Sequence, residues 1–199
     1  MTFPNDASGI AGILLAAGRG TRFDPAGEKD KLLATLPDGI PVAVSSARHL
    51  RAALKRVVAV VRPGSGALEA ALRNAGCEVL VCPDAALGMA ASLTHGVRHA
   101  AEASGWVVAL ADMPFVRPET IALLARRIAD GAGIAAPVCG GRRGNPVGFG
   151  RIHLARLLAL EGDQGARALL QAWPVDEVTV GDDGIFRDID VPHDLPRAT

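Results

Sequence analysis

Short apolar runs of strand length alternate with longer amphipathic segments along most of the chain, and this alternation limits the fold more than any other feature. Ile10 to Ala16, Val57 to Val61, Glu78 to Cys82, Trp106 to Leu110 and Ile134 to Val138 have the length and apolar character of buried strands. Between them, Pro41 to Leu54 places Val44, Ala47, Leu50 and Leu54 at helical spacing, with Arg48 and Arg51 interleaved. Ala67 to Asn74, Ala90 to Ala103 and Pro118 to Ala129 read as further helices, the last with Pro118 in its first turn. Pro146 to Phe149 predicts a short sixth strand, Ile152 to Leu160 and Gly165 to Ala172 two helices, and Glu177 to Val180 and Ile185 to Ile189 two short closing strands. Strands alternating with helices predict an α/β fold, a three-layer sandwich around a mostly parallel central sheet. In such sheets ligands sit at the carboxyl ends of the strands, here just after Ala16, Val61, Cys82, Leu110 and Val138.

Size and composition fit one such unit. The 199 residues make a single domain spanning 1–199 the expectation, and 49% hydrophobic against 21% charged residues is globular composition. Basic and acidic residues balance at 21 each, so no broad basic face for nucleic acid is expected. No apolar run reaches about 18 residues, which removes a conventional spanning helix. Met1 to Ser8 lacks the basic and apolar regions of a secretory leader. Three cysteines, Cys77, Cys82 and Cys139, have no metal-like spacing and read as reduced thiols of a cytoplasmic protein.

The turn after the first strand carries the first chemistry. Leu15, Ala16, Ala17, Gly18, Arg19, Gly20 and Thr21 let backbone N–H groups approach an anion, and Arg19 and Arg22 add charge-assisted donors. The turn is neither G-x-G-x-x-G, since Phe23 holds the third glycine's place, nor a P-loop ending in Gly-Lys-Ser/Thr. The same residues also suit a tight strand-to-helix turn with solvated arginines. Only three of the 21 basic residues are lysines, and two of them, Lys29 and Lys31, fall in Glu28-Lys29-Asp30-Lys31-Leu32-Leu33 just downstream. A lysine there can reach the phosphates of a nucleotide held by the turn.

Leu-Ala-Ala-Gly-x-x-x-Arg followed by Lys-Leu-Leu resembles the signature of the MobA-like nucleotidyltransferases, and within them the molybdenum cofactor cytidylyltransferase branch. Further elements stand in the family's order: Gly88 to Leu93, Ala111-Asp112-Met113-Pro114, Gly144-Asn145-Pro146-Val147, Gly162 to Arg167 and Asp188-Ile189-Asp190-Val191-Pro192. The resemblance covers almost the whole chain and implies a Rossmann-like fold. It implies CTP as donor, because Ala17 stands where the guanylyl branch typically carries glycine, and a phosphorylated pterin, molybdopterin, as acceptor. A transient contact with a molybdoenzyme or its chaperone belongs to the same expectation; nucleic-acid and membrane partners do not.

Asp112 follows the fourth strand at the sheet's carboxyl edge, with Pro114 stiffening the turn. A carboxylate there suits Mg²⁺, which takes oxygen ligands and favours one or two carboxylates plus phosphates, and the resemblance implies that role. The resemblance favours Asp190 as second ligand, with Asp188 in reserve; in an extended strand the two share a face. Asp194 reads as the cap of a last turn. Arg22, Lys31 (or Lys29) and Asp112 are the expected catalytic residues, and the Leu15–Thr21 segment holds the triphosphate. Ser92, early in its helix, can contact ribose, base or phosphate, or satisfy backbone donors; the family places base-contacting backbone at Pro83. Arg142, Arg143 and Asn145 are implied to line the acceptor's pocket, although Asn145 stands where relatives commonly carry histidine. The connection from Arg22 to the first lysine is also longer than the family's usual one. Two other readings accompany this one: a guanylyl or sugar-phosphate transferase of the same superfamily, and a nucleotide-binding protein without turnover.

Overall fold

The computed structural model describes residues 9–162 and 165–196. Among these, β1 (Ile10–Ala16), β2 (Arg56–Val61), β3 (Glu78–Val81), β4 (Gly105–Leu110), β5 (Ile134–Cys139), β6 (Arg142–Arg143), β7 (Val147–Gly150) and β8 (Asp176–Thr179) form one sheet of order β3-β2-β1-β4-β7-β5-β6, with β8 also paired to β5. The β1–β2, β1–β4, β2–β3 and β5–β8 pairs are parallel. Within the sheet, the antiparallel pairs are β4–β7, β5–β7 and β5–β6.

Alternation along each strand sends its side chains to two separate cores. Ile10, Leu14 and Ala16 of β1 pack on one face with residues from α1 (Val42–Ala53), α2 (Gly66–Asn74) and α4 (Pro118–Ala129), among them Leu50, Leu72 and Leu124. Ala11 and Ile13 point the other way, towards α3 (Met89–His99), α5 (Leu154–Leu158) and α6 (Arg167–Ala172), through Leu93, Val97, Leu157 and Leu169. The three-layer sandwich is therefore present. Cys77 lies in the first core and Cys82 in the second, and Cys139 is half-buried; all three are free thiols. Among the described residues no helix is long and apolar enough to cross a membrane.

Several expectations need correction. The segment read as a strand from Ile185 to Ile189 is instead a 3-10 turn, Asp183–Phe186, followed by irregular chain. The cause is Asp182, 2% exposed, whose carboxylate accepts from the Gly184 N–H, the Arg117 N–H and the Thr120 hydroxyl. Those bonds curl the chain beside the start of α4, where the Gly184 Cα faces the Phe115 carbonyl and a Cβ would stand 2.1 Å from its oxygen. Asp188 and Asp190 consequently do not share the face of a strand. The Arg142-Arg143 dipeptide, implied to line the acceptor's pocket, pairs with β5 as the short strand β6. The helix read from Ile152 to Leu160 opens as a 3-10 turn at Arg151–His153 and ends at Leu158, and the one read from Gly165 begins at Arg167. Met1 to Ser8, and Asp163 and Gln164 of the Gly162–Arg167 motif, lie outside the described residues.

Beyond the turn, the Ile189 N–H donates to the Asp112 carbonyl over 2.8 Å, which pins the C-terminal segment to the end of β4. Ile189, 0% exposed, joins Phe23, Leu36 and Val42 in a small third core beneath that segment. Replacing Gly184 with alanine overpacks the turn and costs about 1–3 kcal/mol. A urea midpoint equal to that of the parent would show that this turn does not fix the segment. Burial pushes the Cys77 thiol up to about 11. Iodoacetamide at pH 8 therefore modifies Cys139 well before Cys77 in the native protein, read by peptide mass spectrometry; equal rates would contradict the packing described.

Candidate active site

The order of the strands places the site. β1 is flanked by β2 on one side and β4 on the other, so the chain leaves it in one direction and later returns on the opposite side. At such a switch point the loops at the carboxyl ends diverge and open a crevice. A cleft of ≈ 420 Å³ lies there, bounded by the turn after β1, by Asp112 beyond β4, by the start of α3 and by Asp190.

Lys31 forms the floor. Its 3-10 turn, Lys31–Leu33, is capped by the Asp30 carboxylate, which accepts from the Leu32 N–H. The Lys31 ammonium donates to Asp112 Oδ2 at 2.6 Å and to Asp190 Oδ1 at 3.2 Å, with its side chain only 8% exposed. Burial alone would lower the lysine's pKa, but the hydrogen bonds and charges of Asp112 and Asp190 outweigh it and hold the group above its ordinary value. Asp190 Oδ2 takes a second cation, the Arg22 guanidinium at 2.6 Å. Asp190 is itself held from behind, because the Asp194 carboxylate accepts from the Asp190 and Val191 N–H groups, as expected of a turn cap. Partial desolvation, then the charges of Asp190 and Asp112, hold the Asp188 carboxyl above its usual range.

One oxygen in this cluster is anomalous. Among the described residues Asp112 Oδ1 is buried with no hydrogen-bond partner. Buried polar atoms are rarely left so, and an unsatisfied oxygen on a carboxylate that lines the cleft fits a cation. No third histidine, cysteine, aspartate or glutamate among the described residues completes an all-protein cage. The donor set thus suits a hard divalent ion that draws its other ligands from water and phosphate.

Leu15, Ala17, Gly18, Arg19, Gly20, Thr21, Arg22, Lys31, Ser92, Asp112 and Asp190 all line the cleft. Ala16 does not; its side chain enters the sheet core on the opposite face. Pro83 is exposed and outside the lining, where Ala85 and Ala86 stand instead. Of the two lysines, Lys31 faces the cleft and Lys29 faces the outer side of the turn. The structure also places the three acceptor candidates apart from the cleft. Arg142 stacks 4.6 Å over the Phe186 ring, Arg143 pairs with Glu177 at 2.7 Å, and Asn145 borders a small space behind β4 with Ser46 and His49.

Arg62 escaped the reading of the sequence. It follows β2 directly and donates to the Gly18 carbonyl and the Asp30 carboxylate, each at 2.7 Å, bracing the turn against the segment that carries Lys31. Its signal was its place, an arginine at the carboxyl end of a strand just before Pro63. Asp30 was passed over for the same reason: it serves the site only through Arg62 and the Leu32 amide.

Comparison with known proteins agrees with this geometry. The model of the MobA-like NTP transferase domain matches residues 12–178. The bifunctional protein GlmU of Bradyrhizobium sp. (strain ORS 278) is 32% identical over 165 residues, covering 74% of this chain and 33% of that protein. The chain thus spans about a third of the length of the curated relatives it matches. The crystal structure of Rv0371c from Mycobacterium tuberculosis H37Rv superposes with a TM-score of 0.80 at 28% identity, covering 93% of this chain and 95% of that one. The same protein has been solved in complex with manganese, at a TM-score of 0.76 and 27% identity over 93% and 95% of the two chains. The molybdopterin-guanine dinucleotide biosynthesis protein A of Archaeoglobus fulgidus shares the fold, with a TM-score of 0.66 at 22% identity over 94% and 96%. A cleft at the switch point, its lysine-bridged aspartates and a family match over most of the sequence lead to one assignment: the chain belongs to the MobA-like NTP transferase family.

Proposed function

We propose that the protein is a Mg²⁺-dependent cytidylyltransferase that moves CMP from CTP to a phosphorylated acceptor of the molybdopterin type, releasing pyrophosphate. The observation that carries this reading is the Lys31 ammonium held between Asp112 and Asp190 beneath the Gly18–Thr21 turn, with Asp112 Oδ1 unpartnered. Ala17 supports cytosine over guanine through the family resemblance alone. A cytoplasmic site of action and a transient contact with a molybdoenzyme or its chaperone complete the proposal.

The chemistry asks little of the protein beyond alignment and charge. A phosphate monoester has its second pKa at about 6, so the acceptor is already largely dianionic and needs no general base. Attack of an acceptor oxygen on the α-phosphorus forms one P–O bond as the bond to the pyrophosphate oxygen breaks. Backbone amides of the turn, with Arg19 and Arg22, bind the triphosphate and take the charge of the leaving pyrophosphate. Lys31 sits within reach of the same phosphates and keeps them aligned. Asp112 and Asp190 would hold the divalent cation, which when bound polarises the α-phosphate and offsets its developing charge. On the acceptor side, Arg142 and Arg143 would have to leave Phe186 and Glu177 to meet an anion, so their engagement belongs to the acceptor-bound form.

Asp112→Ala is expected to lower kcat by on the order of 10³-fold or more while the far-UV spectrum stays native; undiminished pyrophosphate release would reject the assignment. A panel of CTP, GTP and UTP against phosphorylated pterin and sugar-phosphate acceptors separates cytidylyl transfer from the related activities, and nucleotide binding without turnover on any acceptor would favour a binding protein. Arg62→Ala, which frees the turn without touching Asp112 or Asp190, is expected to raise KM for the nucleotide several-fold with kcat largely kept. A kcat loss as deep as that of Asp112→Ala would contradict its role as a brace.

A further inference from the structure

We propose that the Lys31 ammonium is a resident cation which the divalent metal must displace, so that the protein takes up metal and triphosphate together and binds metal alone weakly. This rests on the reading of Asp112 and Asp190 as the metal's carboxylates.

The charges in the cleft are already balanced. Two carboxylates, Asp112 and Asp190, face two cations, Lys31 and Arg22. Of the four carboxylate oxygens, Asp112 Oδ2 and Asp190 Oδ1 accept from Lys31, Asp190 Oδ2 pairs with Arg22, and only Asp112 Oδ1 is unpartnered. Because both Asp190 oxygens are engaged, a metal ion that takes both aspartates comes up directly against at least one of these cations.

The two cations differ in how easily they leave. The Arg22 side chain is 74% exposed, so water can replace its partner if it turns away. That of Lys31 is 8% exposed, and its ammonium lies against both carboxylates at once. A second cation entering beside it meets direct repulsion, which solvent screens poorly in a half-buried cleft.

The Lys31 stem runs beside the turn that would hold the triphosphate: a Cβ on Gly20 would stand 3.2 Å from the Lys31 Cγ. Gly20 itself has φ +63°, a backbone that glycine adopts freely, and this brings the turn down onto the lysine. A short rotation of a flexible lysine stem carries the ammonium from the carboxylates to phosphates held by the amides above. Without phosphates, a displaced ammonium loses both partners. With them, it exchanges one pair of anions for another, and the carboxylates are released to the metal. Metal and triphosphate then favour each other's binding by the same factor, as linkage requires.

The test measures Mn²⁺ binding by the loss of its free-ion electron paramagnetic resonance signal, with no nucleotide present, for the parent protein, Lys31→Met, Asp112→Asn and the double variant. Lys31→Met is expected to bind Mn²⁺ at least tenfold more tightly than the parent, and Asp112→Asn is expected to erase that gain. The melting temperature of Lys31→Met should rise in millimolar Mn²⁺ more than that of the parent. If K31M does not fold, Lys31→Gln, whose amide still donates to one carboxylate without the charge, supplies the same comparison. Equal Mn²⁺ affinity in parent and K31M, with loss in Asp112→Asn, would overturn the displacement while leaving the aspartates as ligands. Affinity unaffected by Asp112→Asn in every background would overturn the metal assignment itself.

Discussion

A buried ammonium shared by two carboxylates from distant parts of the chain is the interaction on which the cleft depends. Lys31 lies 81 residues from Asp112 and 159 from Asp190, yet it touches both. Each of these charges would be costly beside a protein core if left unpaired, so any packing that separated them would be penalised by several kcal/mol. The cluster therefore ties the turn after β1, the end of β4 and the C-terminal segment to one point. It also keeps charge of both signs ready at the place where a metal–triphosphate would bring both signs in.

The rest of the fold serves to hold those three segments. The parallel pairing of β1 with β2 and β4 fixes where the loops diverge, and two separate cores hold the sheet rigid from either side. The C-terminal segment is steered by polar contacts instead. Asp182 folds it at the start of α4, the Ile189 N–H meets the Asp112 carbonyl, and Asp194 gathers the amides around Asp190. Arg62 plays the matching part for the turn after β1. The chemistry thus stands on loops, but each loop is braced by a buried or half-buried charge.

What was legible in the sequence follows from the range of the forces involved. β1 and α4 are read correctly to the residue, because burial on both faces and a proline at a helix start are local, strong signals. Lys31, Asp112 and Asp190 were legible as candidates through scarce lysine, a carboxylate at a strand end and the family resemblance, but nothing local told Lys31 from Lys29. Three dimensions separate them, since Lys31 is 7% exposed and Lys29 faces outward. The closing strand was misread for a related reason. Ile185 to Ile189 has strand-like composition, and the turn there is imposed by Asp182 bonding to Arg117 and Thr120, contacts of more than 60 residues' separation. Arg62 and Asp30 escaped because each acts on the other and on backbone without a motif, and only Arg62's place at a strand end hinted at such a role. Arg142 and Arg143, expected from the resemblance to meet the acceptor, are instead engaged with Phe186 and Glu177, contacts that the sequence did not announce.

The central claim, that the Asp112–Asp190 pair holds a divalent cation while Lys31 turns to the phosphates, is most directly tested by crystallography. The protein would be crystallised with Mn²⁺ and a non-hydrolysable CTP analogue, and anomalous differences recorded. The account predicts one manganese peak within coordinating distance of both carboxylates, the triphosphate along the Gly18–Thr21 amides, and the Lys31 ammonium on a phosphate oxygen. A peak away from both aspartates, with Lys31 still bridging them and the triphosphate elsewhere, would contradict it.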